Sequence, residues 1–230
     1  EEYAGDPLMA SRWENISAEL AKKLQTRFWV AEKGLFKDDD SGKYFSEHTQ
    51  ILAILSGRLP QKSLSKLRTS LFMTEGLAKC SIYYKHYFLE ACRKLNLPEK
   101  IIEGLQLWHG FIDNGFMTVP ETFENKSFNQ RSDCHGWGSH PLYHLIANIC
   151  GIRPSGMGFQ KVTISPMLGS LSQIEAKCVH SLGFIDFKYS KANGKSHFEI
   201  TLPRKLTGEF IYKKLTQRLK PGRQSIVIKD

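Results

Sequence analysis

Titratable side chains are concentrated between residues 131 and 144, in the segment RSDCHGWGSHPLYH. An aspartate, a cysteine, three histidines and a tryptophan lie there: Asp133, Cys134, His135, Trp137, His140 and His144. Such side chains can bind a metal, act as a nucleophile or line the rim of a binding pocket. An apolar run follows and ends at Gly151, so the segment also fits a plain helix start. Residue types alone leave these four interpretations open.

A metal or thiolate site has weak support in this segment. His140 and His144 are four residues apart, which places both imidazoles on one face of a helix. A third ligand from His135 or Cys134 is conceivable, but the spacing lacks the glutamate of the zinc-protease motif and is specific for no metal. Cys134 adjoins His135, and adjacent side chains do not face each other on regular structure. We therefore expect no metal site and no cofactor.

Two carboxylates precede this segment, in the loop NGFMTVPETFENKSFNQ. Glu121 and Glu124 lie there between two predicted helices, with Trp108 one helix earlier and Trp137 just after the loop. Aromatic faces bind the C–H surfaces of sugars, and a glutamate beside them is suited to activating water at a glycosidic carbon. A glutamate in a polar loop is more often simply solvated, so the residue types alone give this hypothesis weak support.

Composition and charge exclude several classes of protein. The 230 residues are 41% hydrophobic and 24% charged, which suits one large domain or two modest ones. The formal net charge is +9. The excess is spread along the chain without a nucleic-acid-binding motif, so we favour a solvated basic surface and expect no nucleic-acid partner. No apolar run reaches the ~18 residues of a membrane span. The five cysteines include no CxxC pair and predict buried free thiols.

Helical periodicity dominates the first two thirds of the chain. Apolar residues recur every three or four positions from Leu8 to Phe28, which predicts an amphipathic helix. Four further helices are predicted in SEHTQILAILSG, LPQKSLSKLRTSLF, SIYYKHYFLEACRKLNL and PEKIIEGLQLWHGFIDNG, and a sixth runs from Ser139 or Pro141 to Gly151. Six helices with short loops predict three stacked hairpins, whose exposed concave face would need another segment or chain to complete it.

The pattern changes period after Gly158. Short alternating segments follow, separated by Gly, Pro and Asn, and the Asn-Gly pair in YSKANGKSHFEI is a hairpin signal. The sequence therefore predicts an α+β protein of two domains, with helical hairpins in residues 1–157 and a small antiparallel β region in residues 158–230.

Several motifs resemble one known family when taken in order. TVPE, RSDCHGWGSHPLYHL, GIRPSGMGF and VTISPMLGSL are similar to the C-terminal part of the bacterial α-L-rhamnosidases, inverting glycosidases with a six-hairpin fold. RFWVAEKGLFKDDDSGKYFSEHTQILAILSG and LWHGFIDNGFMTVPE fit the same family, so the resemblance runs nearly end to end. It implies that residues 1–157 are the C-terminal half of an (α/α)₆ toroid and that residues 158–230 are the terminal β-sandwich.

The resemblance also implies roles for individual residues. Glu121 matches the glutamate of a TxxE element, which serves the family as the general base that deprotonates the attacking water. Glu124 is the fallback base, since the alignment can shift by three residues in a variable loop. His135 matches a histidine that borders the sugar subsite. The other implied sugar contacts are two tryptophans and two residues near one helix start: Trp108, Trp137, His48 and Gln50.

The implied reaction is hydrolysis of a terminal α-L-rhamnosyl bond in a rhamnose-containing glycoside or oligosaccharide, with inversion. Inversion requires two carboxyl groups ~6.5–9.5 Å apart, and the family's general acid lies upstream, in the half of the ring that we do not find here. The upstream part of the same polypeptide is thus an expected partner. Two alternatives stay open: a non-catalytic carbohydrate-binding or truncated fragment of the same fold, and a six-hairpin glycosidase for another sugar.

The first residues, EEYAGDPLMA, show no initiator methionine and no signal peptide, so a processed or excised chain is expected. The compartment is left unassigned, although a periplasmic or extracellular location is compatible with the family.

Overall fold

A computed structural model of the chain describes residues 1–2, 4–122 and 132–229. The chain divides into two compact units. The first unit contains residues 1–95 with 122–124, and the second contains residues 96–121 and 125–230. This division differs from the predicted boundary after residue 157, which stays a prediction.

Six α-helices form within the described residues, so the α+β class is confirmed. The first unit contains α1 (Pro7–Phe28), α2 (Glu47–Ser56), α3 (Gln61–Met73) and α4 (Lys85–Lys94). The second contains α5 (Pro98–Asp113) and α6 (Pro141–His144), and α6 continues as a π-helix over Leu145–Ile149. No helix in the described part of the chain combines the length and the hydropathy that a membrane span needs.

The ends of α2 follow the signals in the sequence. The Ser46 hydroxyl accepts a hydrogen bond from the Thr49 N–H, which satisfies one of the free donors of the first turn. Gly57 ends the helix in the left-handed conformation, where its N–H donates to the Ile54 carbonyl. The sixth helix instead departs from its prediction. The Cys150 N–H donates to the Leu145 carbonyl, five residues earlier, so the last turn is widened.

A small hairpin joins α1 to α2 in the first unit. It pairs β1 (Trp29–Val30) with β2 (Leu35–Phe36) in antiparallel sense. Fully buried apolar side chains of this unit come from β2, from α2, α3 and α4, and from the segment before α4: Leu35, Ile51, Ile54, Leu67, Ile82 and Leu89.

Eight strands of the second unit form two four-stranded sheets. They are β3 (Ile152–Pro154), β4 (Lys161–Ile164), β5 (Gln173–His180), β6 (Gly183–Ala192), β7 (Lys195–Leu202), β8 (Thr207–Tyr212), β9 (Leu215–Leu219) and β10 (Gly222–Lys229). One sheet has the order β10-β7-β6-β5 and is antiparallel. The predicted hairpin at Asn193-Gly194 is confirmed, since both residues have positive φ between β6 and β7.

The other sheet has the order β3-β4-β8-β9, and its β4–β8 pair is parallel. The prediction of a purely antiparallel region is therefore wrong for this pair. Parallel neighbours need a long crossover connection, which here contains β5, β6 and β7. Gly208 of β8 pairs with Val162 of β4, and a Cβ at Gly208 would lie 1.9 Å from the Val162 carbonyl oxygen. Only glycine permits this close approach.

Both sheets contribute to one apolar core. Val162, Ile164 and Phe210 come from one sheet, while Phe187 and Phe198 come from the other, and all five are fully buried. The rings of Phe198 and Phe210 have centroids 4.8 Å apart, a favourable distance for an aromatic pair.

All five cysteines are free thiols. Cys80, Cys92 and Cys150 are buried as expected, and burial raises the pKa of both Cys80 and Cys150 to about 12. Cys134 is exposed instead, because it lies in a loop that precedes a helix rather than on an apolar face.

Candidate functional site

The second unit places the chain around Glu121 against the chain around His135. The Glu121 N–H donates to the Ser132 carbonyl at 2.8 Å, and the His135 N–H donates to the Val119 carbonyl at 2.8 Å. These two bonds run in an antiparallel sense across a gap of more than ten residues in sequence. The two segments that the resemblance selects, TVPE and SDCH, are thereby held side by side.

The Glu121 carboxylate belongs to the same hydrogen-bonded pairing. Its residue is half-buried, and the Ser132 N–H donates to Oε2 at 3.3 Å. The Thr118 hydroxyl adds a further bond, to the Asp133 carbonyl. A carboxylate held by a backbone donor loses rotational freedom, which favours a general base that must stand at a fixed distance from its water. Glu124 lies outside the described residues.

His135 and Trp137 form an aromatic pair at a tight turn. Their ring centroids are 4.1 Å apart with the planes inclined by 60°, and the Trp137 side chain is 55% exposed. Nδ1 of His135 is buried and has no hydrogen-bond partner among the described residues. Buried polar atoms almost always have a hydrogen-bond partner in native proteins. The hydroxyl of a bound ligand would supply the hydrogen bond that this nitrogen lacks. The exposed indole can at the same time cover an apolar sugar face.

Trp108 holds this turn in place through a hydrogen bond to its backbone. Its indole is only 9% exposed, and Nε1–H donates to the Gly138 carbonyl at 2.8 Å. Its ring also meets His140 edge-on, with centroids 4.9 Å apart. Because the single polar atom of the indole is already bonded, Trp108 positions the turn that carries Trp137 and has no donor left for a sugar hydroxyl.

The two remaining predicted contacts lie in the first unit. Gln50 is fully buried, and its amide donates to the Phe36 carbonyl at 2.8 Å and to the Ser46 carbonyl at 2.9 Å. Its oxygen accepts from the Phe36 N–H at 2.8 Å. These backbone hydrogen bonds occupy the amide and connect β2 to α2. We therefore assign Gln50 a structural role and do not include it in the sugar site. His48 is half-buried with its ring 4.3 Å from Tyr84, and its contact with sugar stays a prediction.

Known proteins share both the sequence pattern and the fold. The family Bacterial alpha-L-rhamnosidase C-terminal domain matches residues 151–226. An alpha-L-rhamnosidase of Alteromonas sp. (strain LOR) is 25% identical over 221 residues, which are 88% of this chain and 23% of that protein. The chain is similar to the C-terminal portion of bacterial α-L-rhamnosidases. The predicted resemblance is thereby confirmed.

Two solved structures have the same fold. The GH78 family rhamnosidase of Bacillus sp. GL1 superimposes with a TM-score of 0.76 at 21% identity, over 85% of this chain and 22% of that one. The Streptomyces avermitilis alpha-L-rhamnosidase, solved in complex with L-rhamnose, gives 0.74 at 15% identity over 96% and 24%. The chain therefore spans about a quarter of the length of these rhamnosidases.

The stretch that matches the family model begins at a backbone conformation that favours glycine. Gly151 has a φ of +70°, and a Cβ there would lie 2.1 Å from the Ser165 carbonyl. Arg153, two residues on, donates to the Ala147 carbonyl at 2.9 Å and to Oδ1 of Asn148 at 2.5 Å. These bonds explain why the GIRP motif directly follows the helix: its arginine binds the last helical turn.

The same network includes His144, whose spacing from His140 places both imidazoles on one face of the helix. His144 is fully buried, with Nδ1 2.7 Å from Nδ2 of Asn148. Arg153 bonds to the amide oxygen of Asn148, which orients the amide so that its nitrogen donates to His144. The imidazole is then protonated on Nε2. This arrangement gives His144 a clear packing role.

Glu47 is a buried carboxylate that the sequence patterns do not reveal. Burial raises its pKa, but the Cys80 N–H at 2.9 Å and the Lys85 and Lys79 ammonium groups outweigh burial and lower the pKa below its ordinary value of 4.5. The only local signal is its place directly after the N-cap of α2, where a negative charge is favourable. Its partners lie more than thirty residues away and leave no local pattern.

Proposed function

We propose that this chain is the C-terminal part of a glycoside hydrolase that cleaves terminal α-L-rhamnosyl bonds with inversion. The observation that carries the proposal is the antiparallel pairing of the Glu121 and His135 segments, which joins a fixed carboxylate to an aromatic pair with an unpartnered imidazole nitrogen. The names of the similar proteins support rhamnose as the sugar, and the Streptomyces relative was solved with L-rhamnose bound.

In the proposed reaction, Glu121 accepts a proton from a water molecule. The water oxygen bonds to the anomeric carbon from the side opposite the leaving group, while the bond from that carbon to the aglycone oxygen breaks. A carboxylic acid from the upstream part of the same polypeptide protonates the aglycone oxygen. Nδ1 of His135 binds a sugar hydroxyl, and the exposed face of Trp137 covers the apolar side of the ring.

We also propose the finer architecture that this reaction needs. The helices of residues 1–157 would form part of an (α/α)₆ toroid, which the upstream polypeptide completes and to which it contributes the acid. The two four-stranded sheets, which share one apolar core, would form the sandwich of residues 158–230.

The test is Glu121→Gln in the longer enzyme that contains the upstream part, with an aryl α-L-rhamnoside as substrate. We expect kcat to fall by about 10²–10⁴-fold, the usual contribution of acid–base catalysis, while L-rhamnose still binds. Glu19→Gln, an exposed glutamate of α1, is the matched control. Unchanged turnover in Glu121→Gln would refute the role of Glu121, and a large loss confined to Glu124→Gln would assign the base to Glu124.

The same assays distinguish the alternatives. A longer enzyme that binds L-rhamnose but hydrolyses no α-L-rhamnoside would be a carbohydrate-binding protein of this fold. If the longer enzyme hydrolysed another glycoside faster, the proposed sugar specificity would be wrong, but Glu121 would keep its proposed role as the general base. Inversion is tested by proton NMR of the first product, which we expect to be β-L-rhamnose.

A further inference from the structure

The outer face of the antiparallel sheet in the second unit contains an open cleft that the proposed reaction does not use. Its volume is about 720 Å³, which is within the range of ligand-binding sites. The residues that line it come from all four strands, β5, β6, β7 and β10, and most of them are polar. None of them belongs to the segments around Glu121 and His135, so the cleft is a separate candidate site.

Strand register places a neutral polar row across this cleft. Residues directly opposite each other in an antiparallel pair have their side chains on the same face of the sheet. Gln173 of β5 is opposite Ser190 of β6, which is opposite His197 of β7. Within the part of the chain that the structure describes, these three side chains form no hydrogen bonds with other residues. Their amide, hydroxyl and imidazole groups are therefore available to a ligand.

The two carboxylates that line the cleft are already paired with basic side chains. Nζ of Lys188 lies 2.7 Å from a carboxylate oxygen of Glu175. The Arg223 guanidinium donates to both carboxylate oxygens of Glu199 at 2.9 Å. Each ion pair neutralises one acidic side chain, so an anionic ligand that enters the cleft meets little repulsion from these carboxylates.

Two exposed lysines face each other beside the neutral row. Lys195 of β7 is directly opposite Lys229 of β10. Lys195 is two positions from His197, so both lysines project from the same face of the sheet as the cleft. Like charges directly opposite each other destabilise a strand pair. No carboxylate of the described residues forms an ion pair with either lysine. An anion bound between the two ammonium groups would offset their repulsion.

The positive charge of the chain is concentrated in the region of the two sheets. Residues 1–150 contain eighteen basic and eighteen acidic side chains and are neutral overall. Residues 151–230 contain fourteen basic and five acidic side chains, which account for the whole net charge of +9. The expectation of an excess spread along the chain is therefore wrong. Such a local excess attracts anionic ligands.

The chemistry of the cleft favours an acidic saccharide over other ligands. Tyr189 is the only tyrosine, tryptophan or phenylalanine that lines the cleft, and its buried ring packs 5.1 Å from the ring of Phe198 in the core. The cleft therefore lacks the aromatic platform on which the bases of single-stranded nucleic acids stack. Sugar hydroxyls suit the neutral row, and carboxylate or sulfate groups suit the two lysines.

We propose that this face of the second unit binds an oligosaccharide that carries carboxylate or sulfate groups. Its hydroxyls hydrogen-bond to Gln173, Ser190 and His197, and one of its anionic groups lies between Lys195 and Lys229. The choice of a saccharide among anionic ligands rests on the proposed function, because a glycosidase acts on chains of sugars. The site holds an acidic saccharide on the protein and takes no part in bond cleavage.

The test measures binding to the 230-residue chain by isothermal titration calorimetry. The probes are a galacturonic acid oligomer, a sulfated dextran oligomer, a neutral dextran oligomer and a single-stranded DNA, all of similar length. Lys195→Gln with Lys229→Gln removes the two opposed charges. Lys214→Gln with Lys220→Gln is the matched control, because it removes the same charge from exposed residues outside the cleft. Far-UV circular dichroism establishes that every variant is folded.

We expect at least one acidic oligomer to bind, and the one that binds identifies the anionic group that the site accepts. The Lys195 and Lys229 variant should raise its Kd about tenfold, and the control should change it less than about twofold. Gln173→Ala with Ser190→Ala should raise Kd about fivefold through lost hydrogen bonds. Raising the salt concentration from 0.05 to 0.5 M should weaken binding to the unmodified chain.

Several results would overturn the proposal. Equal weakening by both lysine variants would show that only the overall charge matters. Full affinity of the Gln173 and Ser190 variant would exclude the cleft. Binding of neither acidic oligomer, equal binding of neutral dextran, or tighter binding of DNA would refute the acidic saccharide as the ligand.

Turnover is not measured in this test, so its outcome is separate from the catalytic assignment. If Glu121→Gln left turnover unchanged while the Lys195 and Lys229 variant weakened binding, the proposed base would fail and the second site would stand.

Discussion

The sheet core and helix α1 differ in how they bury large apolar side chains. Phe187, Phe198 and Phe210 are fully buried between strands of the second unit, whereas Leu20 and Leu24 of α1 remain about half exposed. Strands of two sheets enclose an apolar core with their own side chains. A helical layer buries its outer stripe only when a further helix packs on it. The described residues therefore enclose the core of the sheets but leave the apolar stripe of α1 exposed.

The largest expected effect is a loss of stability on mutation of the apolar core that the two sheets share. Phe198→Ala should lower the free energy of unfolding of the second unit by about 3–5 kcal/mol, because it leaves a cavity among closely packed rings. Denaturant unfolding of the 230-residue chain measures this loss. Phe184→Ala is the control, since Phe184 is half exposed, and its effect should stay within about 0.5 kcal/mol. Similar losses for both variants would show that the sheet core is not closed.

A smaller effect is expected in the helical first unit, where the buried carboxylate of Glu47 contributes to stability. The pKa of Glu47 is lowered in the folded state, so folding favours the carboxylate. Its stabilisation is complete above about pH 4.5 and decreases as the pH falls through the folded-state pKa. Glu47→Gln should lower the free energy of unfolding of the first unit by about 1.5–3 kcal/mol at pH 7, the range for hydrogen bonds to charged groups.

The pH dependence separates this role of Glu47 from simple packing. The difference between wild type and Glu47→Gln should shrink as the pH is lowered below 4.5, followed by unfolding at each pH. Glu19→Gln, at an exposed glutamate of α1, is the control and should change the free energy of unfolding little at every pH. A difference that stayed constant down to pH 3 would contradict the buried carboxylate.

The smallest effect concerns the turn that carries Trp137. Trp108→Phe keeps most of the packing and removes the hydrogen bond to the Gly138 carbonyl. We expect a loss of about 0.5–1.5 kcal/mol in the free energy of unfolding, with a higher KM in the longer enzyme and little change in kcat. Trp13→Phe is the control on α1. A fall in kcat alone would instead indicate that Trp108 acts in the chemical step.

Local signals account for the elements that the sequence predicts correctly. The Ser46 cap, the Gly57 stop and the Asn193-Gly194 hairpin depend on neighbouring residues, and each lies where the pattern indicates. The parallel β4–β8 pair brings together residues more than forty positions apart, and hydrophobic alternation carries no information on strand direction. Gln50 is a similar case, because its main partner is the Phe36 backbone, fourteen residues earlier in the chain.

The candidate site depended on resemblance more than on residue spacing. Nothing in the local sequence brings Glu121 to the segment of His135, since the backbone hydrogen bonds join residues more than ten positions apart. The aromatic pair of His135 and Trp137 is local, being two residues apart on a tight turn. The pairing is the information that the structure adds.

The most direct test of the central claim is azide rescue of Glu121→Ala in the longer enzyme. Azide attacks carbon without losing a proton, so it needs no general base and can occupy the space of the missing carboxylate. With an aryl α-L-rhamnoside, turnover of Glu121→Ala should be low in buffer and rise with azide concentration, and the product should be a rhamnosyl azide of inverted configuration. Full hydrolysis by Glu121→Ala without azide would contradict the account.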